Sequence, residues 1–291
     1  MKNIGKKVEW VDIERPTKKD ISYLKERFKL HDVILREIEE PSARAHVERY
    51  DDYLYMTCYF PIYDGTEQTS RRAEIDFVIM KKAVVTVRYE RLDVLNDFKS
   101  VEFKDSLSLV YSLLGALAQF EERQLRHIGE KVEEIGNELF KNKEREVLKK
   151  LSHLKRDISE YRIIVRYGEA ILHSLMQHGI VFWGEESRIY LNDVLGDQTK
   201  IIRQIEDYRE AISDFEDTNN QIMNSKTTEV MKTFTTLSFL TFPFMLFAAL
   251  FSMNVKSTPL VDYPHAFWII LAIMASGMSV LVLYFRRKDW L

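Results

Sequence analysis

The sequence predicts an α/β soluble part, a long helical stalk and two transmembrane helices. Three observations predict it. Lys, Arg, Asp and Glu are dense over residues 1–232 but absent from 233–253 and 266–285. Runs rich in β-branched and aromatic residues are confined to the first hundred positions. From about residue 106, apolar residues recur at spacings of three and four. Whole-chain averages conceal this partition, because 291 residues with 30% charged and 46% hydrophobic side chains resemble an ordinary globular protein. The formal net charge of −3 asks for no nucleic-acid partner.

The α/β part is expected over 1–105. Residues 17–29 and 31–39 read as short helices, and 53–60, 74–80 and 83–89 as strands, with Lys81-Lys82 turning the last two into a hairpin. The single cysteine, Cys58, lies in an apolar strand-like run and reads as an inert buried thiol. The N-terminal stretch lacks the apolar core of a cleavable signal, so this part is expected to stay in the cytoplasm.

Two long antiparallel helices are expected over 106–186, one spanning 106–140 and one 143–178, with HGIVFWGEES (178–187) breaking the pattern. A third helix begins near Ser187. Its residues Ile201, Ile205, Tyr208, Ile212, Phe215, Asn219 and Ile222 step like a coiled-coil seam. No proline or glycine follows Gly196 until Pro243, so one helix over 187–253 carries the stalk into the first span. Residues 190–252 would reach on the order of 90 Å. Such a helix needs self-association or packing against the antiparallel pair.

The uncharged stretches of 21 and 20 residues each suffice to cross a lipid bilayer. They are joined by 254–265, so 266–286 forms the second span and 287–291 a basic tail. Lys226 and Lys232 precede the pair, and Arg286, Arg287 and Lys288 follow it, whereas the loop holds only Lys256. This bias places both termini in the cytoplasm of a cell (inner) membrane protein.

The first span is not uniformly apolar. At 100° per residue, Thr228, Met231, Thr235, Ser238, Phe242, Met245, Ala249 and Met253 fall within an arc of about 120°. Hydroxyls on that stripe either meet the water around an ion or bond their own backbone and glue helices together. Bulky Met and Phe rings can close a path by dewetting. One span cannot enclose a path, so a channel requires a cyclic oligomer.

Phe251-Ser252-Met253-Asn254 resembles the Gly-Met-Asn signature of the CorA family of magnesium channels, with Ser252 in place of glycine. Glu229-Val230-Met231-Lys232, Pro243, Tyr263-Pro264 and the ending Tyr284 to Leu291 are also similar to that family, as is Arg188 to Val194 upstream. The resemblance implies a funnel-shaped homopentamer in the lipid bilayer. It makes Asn254, with Met253 and Ser252, the ring that meets the hydrated cation, and Met231 a hydrophobic gate. Asp217 would concentrate cations near the pore mouth, and Asp193 would bind regulatory Mg2+ between protomers. Three departures bear on ion choice: Ser252 for glycine, Thr228 where the family often has Asn, and Phe242 where many members have Met.

The expected function is divalent-cation transport, Mg2+ first. The alternatives are a Zn2+, Co2+ or Ni2+ transporter of the same family and a non-conducting membrane-anchored sensor. An enzyme is not expected. Lys226-Thr227 lacks the glycines of a phosphate loop, and no His-Glu-x-x-His pair occurs. His173 with His178, Glu121-Glu122 and Glu133-Glu134 read as solvated helix faces.

Overall fold

A computed structural model describes residues 2–4, 7–98, 102–141, 143–253 and 264–288. The elements in order are β1 (Lys2–Ile4), β2 (Glu9–Glu14), α1 (Lys18–Phe28), α2 (Asp32–Glu37), β3 (His46–Arg49), β4 (Tyr53–Asp64) and β5 (Thr69–Met80). There follow β6 (Ala83–Arg88), α3 (Asp93–Asn96), α4 (Ser106–Glu138), α5 (Glu144–Trp183), α6 (Ser187–Ser252) and α7 (Ala266–Arg287). They form two compact units, Met1–Glu216 and Asp217–Leu291.

In the first unit the six strands make one mixed sheet, ordered β1-β2-β6-β5-β4-β3. Only β2 and β6 run parallel, in register from Glu9↔Ala83 to Glu14↔Arg88. The expected hairpin at Lys81-Lys82 forms, pairing Ile79 with Val84. β4 and β5 extend past their expected ends and pair over twelve residues each, from Tyr53↔Met80 to Asp64↔Thr69.

Helices cover both faces of the sheet, which explains the near-continuous burial of β4 to β6. On one face Leu24, Ile34 and Ile38 pack on Val11, Tyr55, Val78 and Val85. On the other, Leu109, Leu113 and Leu117 of α4, Leu175 of α5 and Leu191 of α6 pack on Leu54, Met56, Phe77 and Val84. Cys58 lies in this second core at 4% exposure, and burial pushes its thiol pKa well up. Capping boxes start two helices, Thr17 with Asp20 at α1 and Asp105 with Ser108 at α4.

The break expected over 178–187 is narrower. α5 runs on through Gly179 to Trp183, and ends where Gly184 takes a φ of 104°. Gly179 is needed for packing instead, since a Cβ there would sit 2.9 Å from Leu191 Cδ1.

The α6 seam packs within the unit as far as Phe215. Ile201, Ile205 and Ile212 are buried. Gly129 and Gly136 of α4 make room for the Tyr208 and Phe215 rings. Glu206 pairs with Arg162 of α5, and Glu216 with Lys155 at 2.6 Å. Of the acidic pairs read as solvated, Glu122, Glu133 and Glu134 are exposed but Glu121 is not, at 1% exposure. It points into the junction of α4 with β4, α5 and α6, where Gln198 reaches it.

Candidate functional site

The second unit contains α6 from Asp217 onward and α7. Both helices are long and apolar enough to cross a membrane. They meet along one side of α6. There Thr236 and Leu240 are buried with Phe285 of α7, the rings of Phe239 and Phe285 lie 6.5 Å apart, and Phe244 packs on Gly277. Pro243, which withholds one backbone donor from the helix, is partly buried on that same side.

The stripe singled out in the sequence lies about 140° round the helix from this contact. Every member is exposed in the single chain: Thr228, Met231, Thr235, Ser238, Phe242, Met245, Ala249 and Met253. The largest of them, Met231, Phe242, Met245 and Met253, expose 64%, 63%, 67% and 57% of their surface. Apolar side chains this exposed on a span require lipid or further copies of the chain around them.

The hydroxyls make local bonds. Thr228 donates to the Asn224 carbonyl at 2.9 Å, Thr235 to Met231 at 2.8 Å and Ser238 to Phe234 at 2.9 Å. Of the two roles open to them, backbone bonding is therefore present within the single chain, and each side chain keeps its exposed side.

Ser252 is the last residue of α6, and its φ is not positive. The helix therefore reaches Met253 without the conformational freedom that glycine would bring. Asn254 lies outside the described residues.

Upstream, the same phase of α6 carries Asp217, and exposed Gln221 and Asn224 continue it toward Thr228. The reading that began the stripe at Thr228 missed those two amides. Their signal was present, because the hundred-degree step that found Thr228 reaches them one and two turns earlier.

Asp193 stands apart from the stripe. It is exposed on α6, and its Oδ2 accepts a hydrogen bond from the Tyr111 hydroxyl at 2.6 Å. That bond raises the Tyr111 pKa, with Asp197 one turn on adding to the effect. Among the described residues no three His, Cys, Asp or Glu side chains converge as metal ligands. Asp193 and Asp217 are exposed carboxylates outside any such cluster, each able to serve a metal only with help from elsewhere.

Over residues 5–287 the chain matches the family described as CorA-like Mg2+ transporter protein. The cobalt/magnesium transport protein CorA of Thermotoga maritima is 23% identical, over 97% of this chain and 83% of that protein. The solved CorA magnesium transporter from Methanocaldococcus jannaschii shares the fold with a TM-score of 0.86 at 20% identity, over 98% of this chain and 92% of that one. Full-length CmaX shares it at a TM-score of 0.75 and 16% identity, over 97% and 89%.

Proposed function

The chain belongs to the CorA-like Mg2+ transporter family, and from that premise we propose that it carries divalent cations, Mg2+ first, through a path lined by α6 in a ring of five copies. Such a protein is a membrane transporter and not an enzyme. The observation that carries this reading is the exposed stripe of α6, turned away from α7 and mixing small polar with bulky apolar groups. One helix supplies one wall, and a closed ring of identical helices supplies the rest.

Each residue then has a task. The Asn254 amide oxygen accepts hydrogen bonds from water on the incoming ion, which suits Mg2+ because it sheds water reluctantly. Met253 and Ser252 hold that ring at the end of α6. Thr235 and Ser238 offer oxygens to the same water. Met231 closes the path by dewetting, with Phe242, Met245 and Ala249 narrowing it further along. A ring of Asp217 carboxylates raises the local cation concentration. Asp193 provides a hard oxygen ligand that fits regulatory Mg2+ at a contact between copies. Bound there, the ion screens like charges and favours the closed ring. The basic residues Lys226 and Lys232 before the first span and Arg286, Arg287 and Lys288 after the second, against Lys256 alone in the loop, support a position of both termini in the cytoplasm, with the spans in the inner membrane. Co2+ is the second cargo to test, since the Thermotoga maritima relative is a cobalt/magnesium transport protein.

Uptake into liposomes that enclose a Mg2+-sensitive dye tests the reading. Asn254→Ala should lower flux by about tenfold or more, equivalent to about 1.4 kcal/mol of lost stabilisation. Native and variant proteins should both have the mass of five copies in detergent. Undiminished flux in the variant, or a monomeric or dimeric native protein, overturns it. Asp193→Ala should raise the Mg2+ concentration needed for closure, and an unchanged inhibition curve removes its regulatory role.

A further inference from the structure

Glu121 is a charged residue type at the centre of the first unit. Its neighbours include Cys58 and Phe60 of β4, Gly168 and Leu172 of α5, and Val194 and Gln198 of α6, which with it line a cavity of about 20 Å3. That is room for one water molecule. The Glu121 Oε2 atom is buried and has no hydrogen-bond partner among the described residues.

The charges around it do not favour an anion. β4 presents Cys58 and Tyr59, both acids. α5 presents Tyr161, whose hydroxyl donates to the Glu121 carbonyl oxygen at 2.8 Å. Asp157 of α5 is taken up by Ser70 and Lys131. On α6 the charged Asp197 and Lys200 border a separate opening with Glu122, leaving the Gln198 amide to face Glu121. Burial pushes the Glu121 carboxyl up to about 8, opposed by a hydrogen bond from Gln198.

Gln198 joins α6 to the other helices. It is 5% exposed and donates to the Val165 carbonyl of α5 at 3.1 Å. It fits because position 168 is glycine; a Cβ there would lie 3.2 Å from its Nε2.

We propose that Glu121 is a proton-binding site: while its carboxyl is neutral, it and a single cavity water tie Gln198, and with it α6, to α4 and α5. Loss of the proton leaves a buried carboxylate with no cation beside it among the described residues, a charge that the Gln198 bond offsets only in part, so water enters and this turn of α6 loosens. The inference holds whichever cation the chain carries, and its test needs no flux.

Cys58 is the chain's one cysteine, it is 4% exposed, and it lines the same cavity. Its alkylation by N-ethylmaleimide in the full-length protein therefore reports opening. Glu121→Gln mimics the neutral carboxyl, and comparing the two proteins at one pH removes every influence on the thiol's ionisation except that of Glu121 itself, whose charge raises the thiol pKa and so slows native labelling, against the expected rise. Once water has entered, the carboxyl returns toward its ordinary value of 4.5, so the native-to-variant rate ratio should be about one below about pH 4, rise by up to about tenfold per pH unit above that, and level off near about pH 8. A ratio of about one from about pH 4 to about pH 9 overturns the proposal. Gln198→Leu provides a second reading, independent of how Glu121→Gln folds. It removes the bond that favours the anion in the closed state, so the pH at which the native-type labelling profile levels off should move up. An unmoved plateau onset overturns the proposal equally.

Discussion

Arg88 is 2% exposed, and Asp12, Glu14 and Asn96 surround its guanidinium. Asp12 lies on β2 at 4% exposure, so this pair fastens the one parallel contact of the sheet. Arg88→Leu leaves Asp12 buried without its cation and should cost about 3–5 kcal/mol. Adding Asp12→Leu should return much of that loss, because the pair is then replaced by apolar groups. Urea titration of the two variants measures both effects. These residues also explain what escaped the sequence. A strand reading rests on apolar alternation, and a buried Asp at position 12 hides β2 from it. Glu121 was misread for a related reason. Its sequence neighbours are charged, and the residues that bury it, from β4, α5 and α6, are remote in the chain. The stripe of α6 needed only the phase of its own helix, and so was legible from Thr228 onward.

At the scale of elements, close helix approach is arranged by glycine. A Cβ on Gly129 would fall 2.5 Å from the Tyr208 hydroxyl oxygen. Alanine normally favours a helix over glycine by about 1 kcal/mol. Here Gly129→Ala should instead destabilise by about 1 kcal/mol, because overpacking outweighs propensity. In a Tyr208→Phe background the nearest atom is gone, and the same substitution should cost less. Thermal melts of the four proteins read the coupling, and equal costs in both backgrounds would show that Tyr208 is not the obstacle. β4, β5 and β6 were visible as strands because aromatic and β-branched residues fill both of their faces. β3 was not, since only Val47 of its four residues is buried. α5 was expected to stop near Gly179 because glycine is a poor helix former, yet Leu191 from α6 requires the missing side chain there. Contacts across the fold overrode local propensity at that point.

For the whole molecule, the soluble unit stores protons. Burial raises Asp76 to about 6, Glu74 to about 7 and Glu121 to about 8. Each lies above the ordinary carboxyl value, so the folded chain holds protons that the unfolded chain releases. Stability is then greatest below about pH 4 as far as these groups are concerned, and falls as pH rises through about 8. The unfolding midpoint should therefore drop between pH 5 and 8, and Glu121→Gln should remove the most alkaline part of that drop. A midpoint that climbs over this interval would contradict the raised values.

The hydroxyls of Thr228, Thr235 and Ser238 have each given their hydrogen to a carbonyl one turn back. What they turn outward is lone-pair density alone. A ring of such helices would form a wall of uniform polarity without any formal charge. Water bound to a cation points its hydrogens outward and would be received by that wall. Water around an anion presents its oxygens, and would find no donor there. In such a ring, discrimination by the sign of charge would follow from the direction of three hydrogen bonds, and would hold at any pH at which the helix stays folded.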